Sequence, residues 1–543
     1  MRRKKRFYRA ICTCMAAVMA AMAPLPACAK PQEPDMWKSV TYVSDAWVVN
    51  FWNTESDHME EELAQIAADG FNSIILVIPW REFQPGTSPV SYNPYAFEKL
   101  ERVMAAAQGQ GLWVQARIGY TWDYYAQESS ASRFGDLLWD GQLQEAWLDY
   151  AGKLYQALSS HDNFSGAFLT WEDFWNYVED APIRFAPSPA GVREAERTGF
   201  QDYLKSRYTL DMLNSYFNPE APFSDYGSVY IPGKDSPAFK LFYEFYDDFL
   251  IRLLRDTQQV FPDLSMEVRL DMDTVEGLDG TKAAVTHFST FPCGDAPYTS
   301  LMYSVSMGFG QDKLLTAKEA VAMMEDRLDE VKAYNQGKPI FIDQLLYMDI
   351  TPGFERNAQL YPEERNGYLA ALPDILRKYT NGYGIWTYRN YANNCLYNSQ
   401  FALGEKGWDC LRSQVVERGG SRQMRLQSGG RITQSLALRN IGRAGNASHL
   451  RFTAGSDKPA ALTISLGPVE KRVQVQGKKQ YDLDFGMLDY SKLAFRADGE
   501  VYLDNIYLYD FVQDGQLYGQ DGEELGCLKG VRELNRELGP TSP

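Results

Sequence analysis

The sequence predicts a (β/α)₈ TIM barrel followed by an all-β jelly-roll sandwich. Three observations carry this. Between residues 37 and 392, eight short apolar runs alternate with amphipathic stretches. The runs are continuous rather than alternating, as strands buried on both faces are. After residue 397 the texture changes to period-two alternation broken by Gly, Pro, Asn and Asp, the pattern of a sandwich.

The elements follow in order. The first run spans 46–52, and a helix pattern over 59–68 stops at Gly70. The second run is 71–80, with a helix over 95–107; the third is 112–120, with a helix over 143–158. The fourth is 164–171, and a long, mostly helical insertion spans about 188–260. The fifth and sixth runs are 266–271 and 300–305. A helix over 317–334 leads to the seventh, 339–346, and one over 364–379 leads to the eighth, 382–388. Eight β–α units argue for a closed barrel. An open doubly wound sheet is the competitor, but no Gly-rich phosphate loop follows the first run. The predicted boundaries are a leader over 1–29, a barrel over 37–392, a sandwich over 397–511 and a tail over 512–543 with a short helix near 529–537.

The leader bears on compartment. Arg2, Arg3, Lys4, Lys5, Arg6 and Arg9 precede an apolar stretch over 10–23, too short for an ordinary span. Ala27-Cys28-Ala29 fits a cleavage site, and 25–28, Leu-Pro-Ala-Cys, also resembles a lipobox that would lipidate Cys28. An extracytoplasmic protein, secreted or lipid-anchored, is expected, touching membrane only through that anchor. Removing the leader takes six positive charges and no negative ones, moving the formal charge from −17 to −23. Such a chain is repelled by nucleic acid. Cys395 and Cys410 form a disulfide or stay as isolated thiols; both readings are open. Four scattered histidines give little support to a zinc site or a His-based triad.

The chemistry concentrates at 166–175, Gly-Ala-Phe-Leu-Thr-Trp-Glu-Asp-Phe-Trp, where an apolar run ends in Glu172 among aromatics. In a barrel of this kind reactive groups sit at the C-terminal strand ends. Glu172 ends strand 4, Asp271 strand 5 and Asp343 strand 7. Glycoside hydrolysis needs two carboxylates, one protonating the leaving oxygen and the other attacking or activating water. Trp80, Tyr120, Trp122 and Trp175 suit a cleft in which aromatic faces stack on sugars. Each also has a plainer reading: Glu172 as a carboxylate paired with Arg117, Asp271 as an ion-pair partner of Arg269, the aromatics as core packing.

The segment 71–85, Phe-Asn-Ser-Ile-Ile-Leu-Val-Ile-Pro-Trp-Arg-Glu-Phe-Gln-Pro, resembles the second strand of clan A glycoside hydrolases. The segment 111–117, Gly-Leu-Trp-Val-Gln-Ala-Arg, resembles their third, and 338–344, Lys-Pro-Ile-Phe-Ile-Asp-Gln, their seventh. The resemblance implies that Glu172 is the acid/base of a retaining mechanism and that Trp386 floors the sugar site. Arg117 is expected among the substrate-binding residues. It departs from the pattern in two places: Trp171 replaces the usual Asn, and Gln344, which cannot ionise, takes the nucleophile's place. Asp343 and Asp271 compete to replace it. The expected function is cleavage of a polysaccharide or oligosaccharide without a catalytic cofactor. The alternative is a non-catalytic glycan-binding or assembly protein on a degenerate barrel. The sandwich, with Gly407-Trp408 near its start and Asp504 near its end, resembles appended carbohydrate-binding modules. That resemblance implies a structural Ca²⁺ at Asp504; the alternative is a surface carboxylate capping a turn.

Overall fold

The computed structural model describes residues 33–539, except 56–57, 120–124, 126–130, 171, 270–273, 285–291, 307–308, 349–355, 437–447, 487–491, 513–514 and 520. Eight parallel strands close into a barrel: β1 (Trp37–Thr41), β2 (Ser73–Ile78), β3 (Trp113–Ile118), β4 (Phe164–Leu169), β5 (Ser265–Arg269), β6 (Thr299–Ser304), β7 (Ile340–Leu346) and β8 (Thr380–Ile385). β1 pairs with both β2 and β8, so no edge is left.

Seven of the eight strands lie on the apolar runs. The first does not. Residues 46–52 form no strand; Asn50–Asn53 is a 3₁₀ turn, and the preceding Trp37–Thr41 enters the barrel. A short run buried on every side is a strand or a buried turn with equal ease. Here side chains decide: the Asn50 carboxamide accepts from the Asn394 N–H at 2.9 Å, and Asn53 from the Ser399 N–H at 3.0 Å.

Helices α1 (Met59–Ala68), α2 (Pro94–Gly109) and α3 (Gly141–Ser159) cover the first half of the barrel. Asn93 and Asp140 cap α2 and α3 through side-chain acceptors. After β4 come α4 (Glu172–Phe185), α5 (Pro189–Arg197), α6 (Phe200–Arg207) and α7 (Leu210–Phe217). The 20-residue α8 (Phe239–Gln258) closes the predicted insertion. It is the barrel's own crossover helix, leading directly into β5, so the added part of the stretch is α5–α7 and the segment up to α8. The outer ring is completed by α9 (Ala317–Tyr334), which opens on a Thr316–Glu319 capping box, and α10 (Arg365–Tyr379).

Beyond the barrel the strands are antiparallel: β9 (Tyr391–Asn394), β10 (Asp409–Arg418), β11 (Ser421–Ser435), β12 (Ser448–Leu466), β13 (Val469–Gly486), β14 (Lys492–Ala497) and β15 (Val501–Val512). They form one seven-stranded sheet, through which three long strands bend. β11 pairs with β15 at Met424–Leu426 and with β14 at Arg431–Ser435. β12 pairs with β15 over its first half and β14 over its second, and β13 follows it through the bend. Irregular pairing near Ser456 and Ala460 marks the corner. Alternate residues such as Met424, Leu426, Phe452, Leu462, Ile464 and Leu503 make a separate apolar core.

The tail returns to the barrel. Helix α11 (Leu528–Glu537) packs against α10 and buries Leu528, Val531 and Leu534. Lys38 of β1 donates to the Asn535 and Gly539 carbonyls at 3.2 and 2.7 Å.

Candidate active site at the barrel mouth

The inward positions of the strands fall into two layers. Trp37, Ile75, Trp113, Phe168 and Phe341 fill the N-terminal half as an aromatic-rich plug. The Ser39 and Ser73 hydroxyls share a hydrogen bond at the level of this plug, Ser73 lying beside Trp113. Above the plug the lining turns polar. Arg117 of β3 grips Glu267 of β5 with two bonds, Nε to Oε2 at 2.9 Å and Nη2 to Oε1 at 3.2 Å. Thr170, just past β4, lies between them: its Oγ1 accepts from Arg117 Nη2 at 2.8 Å and donates to Glu267 Oε2 at 2.8 Å. All three are buried. A two-pronged guanidinium–carboxylate pair with its remaining valences engaged is the geometry that offsets the desolvation of both charges.

Asp343 adjoins this cluster. The β6–β7 register runs Leu301 opposite Ile342, then Met302 opposite Gln344, so Asp343 is the extra residue of a bulge. The β8 side shows the same irregularity between Ile342 and Leu345. Strict alternation would turn Asp343 and Gln344 to opposite faces; the bulge puts both on the inward side. Asp343 Oδ2 accepts from Ser300 Oγ at 2.6 Å, and the residue is 0% exposed. Burial, then the nearby Glu267 carboxylate, hold its carboxyl well above the usual range, against the pull of Arg117 and Arg269. Its neutral form is thereby favoured over that of an exposed aspartate. A fully buried carboxyl is poorly placed to attack a sugar, which counts against the reading of Asp343 as nucleophile. Gln344, opposite Met302, stands one step nearer the mouth.

Glu172 is the first residue of α4, three positions beyond the end of β4, rather than the last residue of the strand. Its side chain and that of Trp175 lie outside the described residues, as do Tyr120, Trp122 and Asp271. Trp386 follows β8, is 8% exposed and meets Trp47 edge to face at 5.9 Å; the Trp386–Thr387 peptide is cis. Trp80 is a correction. Its ring is fully buried behind the barrel wall, edge-on to Trp147 at 5.0 Å, with its indole N–H on Gln84 Oε1 at 2.7 Å. No sugar face reaches it. Arg117 is a buried structural partner of Glu267 and Thr170. Glu267 was missed by the sequence reading. Its signal was there: a carboxylate inside a run flanked by Met266 and Val268 is too costly to bury unpaired.

Asp504 of the sandwich accepts from Ser421 Oγ at 2.8 Å and from the Asn505 N–H at 2.9 Å. Both neighbours donate, whereas Ca²⁺ requires six to eight oxygen acceptors turned inward. Among the described residues no three His, Cys, Asp or Glu gather as a metal site. The donor set at Asp504 does not fit the metal. Cys395 and Cys410 are not joined in a disulfide, and neither are Cys293 and Cys527. Among the described residues no helix is long and apolar enough to cross a membrane.

No protein-family model and no curated protein matches this chain. Among solved structures it is similar to the exo-beta-1,4-mannosidase Op5Man5 from Opitutaceae bacterium strain TAV5, at 12% identity and a TM-score of 0.41, over 66% of this chain and 52% of that one. It thus spans about half the length of that mannosidase. A GH5_18 protein from Streptomyces cattleya in complex with GlcNAc is 15% identical, with a TM-score of 0.40, over 66% and 72% of the two chains. A GH5_18 protein from Bifidobacterium longum subsp. longum is 13% identical, with a TM-score of 0.39, over 66% and 71%.

Proposed function

We propose that the protein is a glycoside hydrolase that takes a polysaccharide or oligosaccharide at the barrel mouth, with Glu172 as general acid and then base. One observation carries this reading. Glu172 opens α4 two residues beyond Thr170, and Thr170 is clamped by Arg117 and Glu267. Catalytic groups on such a fold belong at this end of the strands, held by a rigid support beneath. Trp386, beside Trp47 after β8, is the sugar platform in this reading. With Asp343 fully buried, the second carboxylate in this reading is Asp271, two residues beyond Arg269. The basic, apolar leader of residues 1–29 and the lipobox at Cys28 support action outside the cytoplasm, on a polymer too large to enter the cell.

The second reading, a non-catalytic glycan binder, rests on Gln344 at the inward position opposite Met302. The deciding experiment is a panel of neutral and acidic glycans offered to wild type, Glu172→Gln and Asp271→Asn. Hydrolysis is expected in wild type and a loss of at least ~100-fold in kcat in either variant, since each removes one half of a carboxylate pair. Binding without cleavage by wild type selects the second reading. Full activity in Glu172→Gln rejects the site.

A further inference from the structure

Away from the barrel interior, three cavities line up along the seam between barrel and sandwich. The first, about 260 Å³, lies between the loop after β1 and the sandwich residues Arg451 and Tyr507. The second, about 410 Å³, lies between α2 and the β10–β11 turn. The third, about 180 Å³, continues onto the sandwich. They form one run of depressions: Glu55, Gln400 and Asn505 line the first and second, and Gly419, Lys478 and Asp504 line the second and third. The loop after β1 also carries Trp47, which meets Trp386. One loop therefore borders both the barrel mouth and the seam.

The lining defines the ligand. Its charges are largely spent on one another: Arg102 on Glu55 at 3.2 Å, Arg422 on Glu417 at 2.9 Å, Arg389 on Glu62 at 2.6 Å and Arg418 on Asp457 at 2.8 Å. With acid and base nearly balanced, no net field favours an ion. The overall negative charge of the chain disfavours an acidic polymer further. What remains is a dense mixture of donors and acceptors. Asp504 is almost fully buried and lines two of the cavities. Beside it, Gly419 and Gly420 make the two-residue β10–β11 turn with φ of +63° and +84°. Nothing stands within 4 Å of the space a Cβ would take at either glycine, so a ligand can approach the turn's backbone closely. Alternating donors and acceptors with no net charge suit the hydroxyls of a sugar chain.

We propose that this seam is a second glycan-binding groove, taking a neutral oligosaccharide segment of the polymer whose other part occupies the barrel mouth. The proposal rests on the carbohydrate reading above but not on hydrolysis. The seam would hold the chain while the mouth acts on it, and its loss would weaken long ligands and spare short ones.

The test uses the full chain and neutral probes, hexasaccharides and disaccharides of β-1,4-glucose and of β-1,4-mannose. Binding is followed by calorimetry and by hydroxyl-radical footprinting of Tyr95 and Tyr502. Two seam variants, Glu98→Trp on the exposed face of α2 and Lys478→Glu, are compared with the mouth variant Trp386→Ala; circular dichroism confirms folding. At least one hexasaccharide is expected to bind wild type and protect the seam tyrosines, with at least ~10-fold weaker binding in both seam variants and unchanged disaccharide binding. Seam protection is expected to survive Trp386→Ala. The proposal is overturned if no probe protects the seam, if the seam variants bind hexasaccharides as wild type does, or if acidic oligosaccharides compete better than neutral ones. Failure of the hydrolase reading shows separately, as absent turnover with seam protection intact.

Discussion

At the residue scale, two buried carboxylates of one cluster have unlike partners: Glu267 faces a guanidinium and Asp343 a serine hydroxyl. Glu267 is doubly bonded to Arg117, while Asp343 is pushed toward its neutral form by burial and by Glu267 itself. The same amide substitution should therefore have unequal costs. Glu267→Gln leaves the Arg117 guanidinium buried without its counter-charge, and about 3–5 kcal/mol of stability is expected to be lost. Asp343→Asn keeps an acceptor for Ser300 and replaces a group whose neutral form burial already favours, so a cost below about 1 kcal/mol is expected. Urea unfolding at pH 7 measures both. Equal losses would show that Asp343 is ionised in the fold. If the proposed pair of Glu172 and Asp271 does the chemistry, Asp343→Asn should also leave glycan turnover within about threefold of wild type, because a fully buried side chain outside that pair would not cost the roughly 10²–10⁴-fold of a lost acid–base group.

Lys99 of α2 gives the pH prediction. Its ammonium is fully buried against the Phe51 and Thr54 carbonyls and the Phe51 ring, and burial lowers its pKa to about 7, with Glu55 drawing it partly back. The unfolded chain holds that proton up to about pH 10.4. Between these values the unfolded state binds more protons, so stability rises with pH from about 7 toward 10. The rise is expected to reach up to about 4 kcal/mol and to vanish in Lys99→Met, which carries no titrating group. Thermal unfolding of both proteins at pH 6.5, 8 and 9.5 shows it as a difference. A parallel pH response would place the Lys99 pKa at its ordinary value.

At the element scale, α11 is anchored by one buried acid. Asp69, at the C-terminal end of α1, accepts from Tyr388 at 3.1 Å, from Tyr518 at 3.0 Å and from Arg532 Nε at 2.8 Å. Arg532→Ala removes the only one of these three partners that carries charge. A loss of about 1.5–3 kcal/mol is expected, the range of a hydrogen bond to a charged group, and amide exchange should quicken across 528–537 before the barrel strands. Uniform exchange would show that the tail unfolds only with the whole. Most elements were legible in the sequence because apolar periodicity reports burial directly. The helices over 59–68 and 317–334 stand where the pattern put them, and that near 529–537 is one residue longer. What was illegible depended on contacts across the fold. The 46–52 run looked like a strand because its apolar residues are buried whatever their backbone, and only Asn394 and Ser399, more than 300 residues on, settle the turn. The β7 bulge has no local signature either, yet it decides where Asp343 and Gln344 point. The Arg117–Glu267 pair joins residues 150 apart. Sequence spacing also offered Arg117 to Glu172 and Arg269 to Asp271, pairings whose acidic side chains lie outside the described residues.

At the scale of the whole molecule, the chain crosses from barrel to sandwich and returns, so its sequence boundaries are not boundaries of stability. β9 leaves the barrel and pairs with β15, joining the sandwich sheet. Asn50 and Asn53 reach across to Asn394 and Ser399, and the chain after β15 runs back to bury Leu517 and to set α11 against α10. A chain ending at Asn394 keeps all eight barrel strands but loses everything that covers Asp69 and α10 from the tail. It exposes the surface under Leu528, Val531 and Leu534, and leaves Asp69 with Tyr388 alone of those three partners. Burying three such aliphatic side chains is worth about 1.5–3 kcal/mol each, a large part of the roughly 5–15 kcal/mol that holds a domain together. The shortened chain is therefore expected to aggregate or to melt at least ~10 °C below the full protein. A chain in which 397–511 is replaced by a flexible linker, keeping 512–543, should recover most of that loss. If the chain ending at Asn394 melts with the full protein, the barrel is self-sufficient and the returning tail contributes nothing to it.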